Sequence, residues 1–232
     1  MNEDQAALQD FNGQARLFPL PGLVFFPHAV QPLHIFEPRY RQMAVDALAG
    51  DKLIALVLLK PGWEETYDDR PAVHSIACLG RVIGDQRLPD GRYNLVLKGL
   101  ARVQIRREPR TDKQFRTADV EVLHDIVPDD VEELMALRTA VADLILPRVT
   151  EGAVREQLRN LFKGELPLGH LCDVLAFALP LPPEAKQELL GILDVTERAR
   201  ELMEAFRAVV DGAAKTAITG APKRFPPDFS AN

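Results

Sequence analysis

The stretch QPLHIFEPRYRQM, residues 31–43, sets a histidine, a glutamate, two arginines and a tyrosine close together. A histidine and a glutamate three residues apart, here His34 and Glu37, can form a metal site or an acid/base pair if one helix face carries both. In a strand, the same spacing sends them to opposite faces. Pro38 decides between the two. Proline favours the first position of a helix and pushes the preceding residue out of helical backbone. Glu37 then stands at a helix N-terminus, where the dipole stabilises a carboxylate and the first amides need acceptors. His34, Glu37, Pro38 and Arg39 therefore read as a strand-to-helix junction, with Arg39 available to pair a carboxylate. With no further His, Cys or Asp at ligand spacing, no metal is expected here.

Other chemistries fail on supply or spacing. A phosphate-cradling loop needs GxxxxGK followed by Ser or Thr. The nearest stretch, DGAAKTAITG (211–220), has its lysine and threonine but neither glycine in place. No GxGxxG follows a strand, and HExxH is absent. The only serines are Ser75 and Ser230, neither in a GxSxG turn. His170 and Cys172, two apart on a helix, diverge by about 200° and cannot form a nucleophile–base pair. The acidic run EETYDD (64–69) reads as a solvated loop. No catalytic residue and no cofactor is expected, and the chain reads as a non-enzyme.

The elements around the junction follow from periodicity. Of 232 residues, 47% are hydrophobic and 27% charged, the composition of an ordinary globular protein. No apolar run reaches the length of a membrane span. The N-terminus lacks the basic and apolar regions of a signal peptide, so a cytoplasmic protein is expected. Cys78 and Cys172 read as small buried hydrophobes. Up to about residue 125 the pattern is that of strands. LIALVLL (53–59) suits a strand covered on both faces. YNLVLKG and ARVQIRR alternate, as does ADVEVL (118–123), and Asp90-Gly91 marks a hairpin. One helix, 38–49, carries the stripe Tyr40, Met43, Ala44, Ala47, Leu48 and ends at Gly50. From Pro128 the period is helical. Asp129 and Glu132 suggest a capping box before the stripe Val131, Leu134, Val141, Leu144, Ile145. Helical stretches follow at 153–163, 167–180 and 182–193. A last helix, capped by Asp194 and Glu197, closes at Asp211-Gly212. The expected organisation is a β-rich part over 12–127, a helical bundle over 128–212 and a flexible tail over 213–232, to which Phe225 and Phe229 belong.

Charge narrows the partners. The net charge is −6, with 16 basic against 17 acidic residues before Pro128 and 12 against 17 from there on. Neither part has the positive field that a phosphate backbone requires. The local exception is Arg102, Arg106, Arg107, Arg110, Lys113 and Arg116, which reads either as an anion patch or as the charged edge of a strand. LFPLPGLVFFPH (17–28) is also open to two readings. It is a core strand bounded by turns, or it keeps an apolar face accessible to a partner.

Three blocks in order resemble a known family. LFPLPGLVFFPHAVQPLHIFEPRYRQMAVDAL resembles the opening of the Lon protease amino-terminal domain. LGRVIGDQRLPDGRYNLVLKGLARVQI resembles its second block, with a glycine before a strand, a DG hairpin, and a strand ending in glycine. LCDVLAFALPLPPEAKQELLGILDVTERARELMEAF resembles its helical part. The resemblance spans roughly 15–210 and is nearest to stand-alone members of the family, without the ATPase and protease domains of full Lon proteases. It implies an α+β chain, a PUA-like β-pseudobarrel followed by an all-helical bundle, that recognises polypeptide.

Three functions are therefore weighed. The first is a non-catalytic module binding unfolded polypeptide or a protein partner, with Phe25, Phe26, Pro27, Ile35 and Tyr40 as its contact residues. The second is an RNA-binding PUA-like protein using the basic run at 102–116. The third is a hydrolase built on His34 and Glu37 or on the acidic run at 64–69. No membrane contact is expected, and the sequence does not specify an oligomeric state.

Overall fold

Asp90 and Gly91 turn the chain where the spacing predicts. In the computed structural model, which describes residues 3–66, 69–149 and 152–216, Gly91 has a φ of 83°. The Leu88 amide donates to the Arg92 carbonyl across the turn at 2.8 Å. The hairpin joins β4 (Ile76–Arg87) to β5 (Tyr93–Arg107), the longest strand. With β1 (Gln14–Leu20), β3 (Leu53–Leu58) and β6 (Arg116–Leu123), they close a five-stranded ring in the order β5-β4-β3-β1-β6, through the β5–β6 pairing. A sixth strand, β2 (Val30–Ile35), pairs antiparallel with the first half of β5 and leaves its other edge open. Its central Pro32 removes a backbone donor, which blunts an open edge against strand addition.

Two cores lie on opposite faces of this sheet. Ala15, Leu17, Leu53, Ala55, Val57, Ala77, Leu79, Val103, Ala118 and Val120 fill the ring. β3 is buried at all six positions, as its unbroken apolar run requires. The other face packs on α2 (Pro38–Ala49), whose Tyr40, Met43, Ala44 and Ala47 are buried. A bulge divides the two faces along β5. Gly99 pairs with Gly80 and Ala101 with Leu79, so Leu100 is an extra residue. Leu97 and Ala101 therefore face different cores, a switch that simple alternation does not reveal.

A short helix, α1 (Glu3–Gln9), precedes β1 and was not foreseen. The contacts assign the chain through Leu123 to one unit and from His124 to a second. The second unit carries α3 (Val131–Ile145), α4 (Ala153–Lys163), α5 (Leu168–Ala178), α6 (Pro183–Gly191) and α7 (Val195–Thr216). Asp130, not Asp129, caps α3, its carboxylate accepting from the Glu133 amide at 2.9 Å. Moving the cap by one residue turns Val131 outward, and it is 64% exposed. Asp194 caps α7 by accepting from the amides of Thr196 and Glu197. The helix runs past the expected stop at Gly212 to Thr216. The rest of the expected tail, 217–232, lies outside the described residues.

Candidate functional site

The junction residues separate in space. His34 lies in β2 and its Nδ1 shares a 2.7 Å hydrogen bond with Asn94 Oδ1 on β5. Glu37 precedes α2 with extended backbone, and its carbonyl accepts from the amides of Tyr40 and Arg41. Pro38 opens the helix. The Glu37 carboxylate does not cap the helix. It pairs instead with Arg39 at 2.8 Å. His34 and Glu37 therefore share no chemistry. Among the described residues, no three His, Cys, Asp or Glu side chains gather as a metal site. Cys78 and Cys172 are both buried and free of disulfide.

The aromatic residues expected to meet a partner lie inside. Phe25 is 1% exposed, Phe26 0%, Ile35 1% and Tyr40 6%, and Pro27 is buried with them. Glycines on the sheet explain this. A Cβ on Gly99 would stand 2.0 Å from the Phe26 carbonyl oxygen, and one on Gly80 2.8 Å from the Phe25 ring. These two glycines pair across β4 and β5, so the sheet has a bare strip over which the Phe25–Pro27 backbone passes. The His28 amide donates to the Gly99 carbonyl, and the Gly99 amide to the Ala29 carbonyl, at 2.9 Å each. The expectation of an accessible apolar face at Phe25, Phe26, Pro27 and Ile35 is corrected accordingly. Phe25–Pro27 is core although it lies outside any strand, and of the stretch 17–28 only 17–20 belongs to β1. Tyr40, ring to ring with Phe18 at 4.5 Å, lines one wall of a small cleft of about 70 Å³. Arg39, Lys113 and Arg116 also line that cleft, but each is engaged by a carboxylate: Glu37, Asp46 and Glu108.

The basic run is not an edge. The second half of β5 lies between β4 and β6. Arg106 pairs with Glu121, Arg107 with Asp119 at 2.7 Å, and Arg116 with Glu108 at 2.6 Å. Arg102 is 2% exposed. The acidic side chains that alternate along β6 neutralise the positive field that a nucleic acid would need.

Accessible apolar side chains lie elsewhere in the first unit. Leu53, Arg81, Lys98 and Val30 form one row across β3, β4, β5 and β2. Leu53 belongs to the ring core, so the whole row shares that face. The next rows are Gly84, Val96 and Pro32, then Gln86, Asn94 and His34. Val30 is 49% exposed, and Ile83, in the bulge between Val82 and Gly84, is 46% exposed. Pro32 and Val96 are half-buried, and Phe36 stacks on His34 with ring centroids 6.2 Å apart. The result is an apolar strip with a polar ladder, Gln86–Asn94–His34, across one end. The alternation of Val30, Pro32 and His34 along β2 is a signal that sequence alone carries, but its outward sense depends on where Phe25 and Phe26 pack. In the second unit Ile126, Val127, Val131 and Met135 are exposed to between 58% and 65%.

That unit also holds a buried charge cluster that the sequence reading left unassigned. Arg198 on α7 is fully buried, and all five of its N–H groups have acceptors. Nε donates to the Ile192 carbonyl and Nη1 to Asp125 and Asp173. Nη2 donates to Asp125 and the Leu193 carbonyl. Burial disfavours the charge, but Asp125 and Asp173 outweigh it and hold the guanidinium more firmly protonated than usual. The cluster is structural. It ties the segment before α3 to α5 and α7.

Comparison with known proteins follows the same lines. Residues 14–207 match the family model of the ATP-dependent protease La (LON) substrate-binding domain. A Lon protease of Dictyoglomus thermophilum is 31% identical over 201 residues, covering 84% of this chain and 24% of that protein. The Lon protease of Escherichia coli K12 is 29% identical over 205 residues, 84% of this chain and 25% of that one. The chain thus spans about a quarter of the length of these relatives. Among solved structures, a Lon N-terminal domain protein from Xanthomonas campestris superposes with a TM-score of 0.60 at 23% identity, covering 82% of this chain and 97% of that one. The N-terminal domain of the Mycobacterium avium complex Lon protease gives 0.65 at 19%, covering 84% and 98%. These two structures share the fold.

Proposed function

This chain belongs to the Lon substrate-binding domain family, and on that premise we propose that it is a non-catalytic, cytoplasmic module that binds unfolded or partly folded polypeptide. The observation that carries the reading is the apolar strip of Val30, Pro32, Val96, Ile83 and Phe36 on the sheet. Exposed apolar side chains on a well-ordered face suit a ligand that offers apolar residues at loose spacing. The strip replaces Phe25, Phe26, Pro27 and Ile35 as the contact surface, since those residues hold the fold. Neither the acid/base pair nor the metal cluster that a hydrolase would need is assembled among the described residues. The paired state of Arg106, Arg107, Lys113 and Arg116 disfavours RNA.

Fluorescence anisotropy tests this reading. A labelled, permanently unfolded polypeptide is titrated with the full chain beside a labelled single-stranded RNA, both over one salt series. Saturable polypeptide binding with little salt dependence is expected. RNA binding alone, weakening steeply with salt, would move the function to nucleic acid.

A further inference from the structure

The first helix lies on the chain as a ligand would. α1 has only seven residues and buries none of them fully. A helix of that length does not persist in water by itself, so its contacts must hold it. Asp4 supplies the polar ones, with one oxygen 2.8 Å from Arg81 Nη2 and the other 2.6 Å from Lys98 Nζ. Glu3 adds a contact to Arg81 at 3.1 Å. Ala7 and Leu8, one turn on, and Phe11, just past the helix, pack against the apolar core of the strand ring. Asp4 and Leu8, four apart in the helix, share one face of α1, and Phe11 follows just past its end. Asn12 and Gly13 then turn the chain into β1, with Gly13 at a φ of 82° and the Gln14 amide bonded to the Asn12 side chain.

Beneath α1, Arg81 and Lys98 stand side by side in the cross-strand row that begins at Leu53 in the ring core and ends at exposed Val30. Two adjacent cations repel each other, and an acidic group placed between them offsets that cost. Apolar core next to such a pair calls for a ligand with a carboxylate followed, one helical turn later and again just beyond, by apolar side chains. We propose that this site is a docking site for acidic–apolar polypeptide segments, and that α1 occupies it in cis as a built-in competitor. The inference rests on the polypeptide-binding reading and names the class of segment favoured. It also sets the docking site beside the strip that begins at Val30.

The test uses the full chain and a fluorescein-labelled synthetic peptide of residues 3–13. Asp4→Lys places a cation against Arg81 and Lys98 and releases α1 without touching the ring core. The peptide is expected to bind this variant saturably and at least tenfold more tightly than it binds the unaltered chain, where α1 competes. A peptide of the same composition in scrambled order is expected not to bind. Adding Arg81→Glu and Lys98→Glu to Asp4→Lys restores opposite charges in reversed order, so α1 closes again and the peptide is excluded. Hydrogen exchange gives an independent reading. Amides 6–10 should exchange much faster than those of β3, and faster still in Asp4→Lys. Equal peptide affinity for the two chains, or protection of α1 as deep as that of β3, would overturn the proposal. Unfolded polypeptide is titrated on the same proteins to separate the two ideas. If it binds while the peptide does not, the docking inference alone fails. If the peptide binds Asp4→Lys while unfolded polypeptide binds neither protein, the polypeptide reading fails, and with it the ligand class, although α1 remains a displaceable cover.

Discussion

Replacing Arg198 with alanine should cost more than any other single truncation of a charged side chain in this protein. Arg198 and Asp173 have side-chain exposures of 0% and 1%, and Asp125 shares the same guanidinium. Arg198→Ala removes the guanidinium from one fully buried and one partly buried carboxylate and takes the side-chain donor from the Ile192 carbonyl, while the Leu193 carbonyl keeps the Ile126 amide. Breaking a buried pair from one side typically costs about 3–5 kcal/mol, because the remaining charge stays desolvated. Arg198→Lys keeps the charge but offers three donors where five are used, so its cost should be about 2–3 kcal/mol. The exposed Arg106–Glu121 pair, 60% and 58% accessible, provides a contrast, and its coupling should be below about 1 kcal/mol. The assay is urea unfolding followed by far-ultraviolet circular dichroism, which reports the helices of the second unit. Fluorescence of the lone tryptophan, Trp63, reports the first unit in parallel. A double-mutant cycle of Arg198 with Asp173 isolates the pair. A loss below about 1 kcal/mol for Arg198→Ala, or a coupling no larger than the surface pair's, would refute the argument that this cluster holds the second unit together.

Two further predictions concern packing and pH. Gly99→Ala should destabilise the first unit by several kcal/mol, because its Cβ would fall 2.0 Å from the Phe26 carbonyl oxygen and the Phe25–Pro27 backbone would have to lift. A melt of Gly99→Ala that matches the unaltered chain would contradict the packing described. Lys186 is pushed down to about 8 by burial, its ammonium donating to the Phe177 carbonyl at 2.7 Å. Between that value and the ordinary lysine range near ~10.4, the unfolded chain binds the proton and the folded chain does not, so stability should rise with pH across this window. Lys186→Met should flatten that rise and stabilise the protein at neutral pH by roughly 1 kcal/mol, a modest figure because the site is partly exposed. Thermal melts from pH 7 to about pH 10 check both.

Local chemistry was legible in the sequence wherever one residue type sets one backbone state. Pro38 opens α2 and Asp90-Gly91 turns the β4–β5 hairpin, as their types require. The unbroken run 53–59 contains a strand buried on both faces. The pseudobarrel with its helical part is the fold that the three blocks imply. What stayed hidden depends on partners distant in sequence. Phe25 and Phe26 turn inward because Gly80 and Gly99, more than fifty residues away, leave them room. The arginines after Ile105 look like a basic patch until β6 lays Asp119 and Glu121 beside them. α1 has too short a pattern to announce itself, and ion pairs to β4 and β5 hold it in place. Arg198 lies inside the quoted stretch LDVTERAREL, but no local feature distinguishes a buried arginine from a solvated one. The accessible face expected at Phe25 and Phe26 lies inside for the same reason, since large aromatic residues mark burial more often than exposure.

The measurement that bears most directly on the polypeptide-binding reading repeats the anisotropy titration with the double variant Val30→Glu, Ile83→Glu. Both side chains are about half exposed, so the substitutions should leave the melting curve almost unchanged. If the strip between β2 and β4 is the contact surface, affinity for the unfolded polypeptide should fall at least tenfold while the fold survives. Unaltered affinity in a folded double variant would contradict that placement and send the search to the exposed Ile126, Val127, Val131 and Met135 of the second unit.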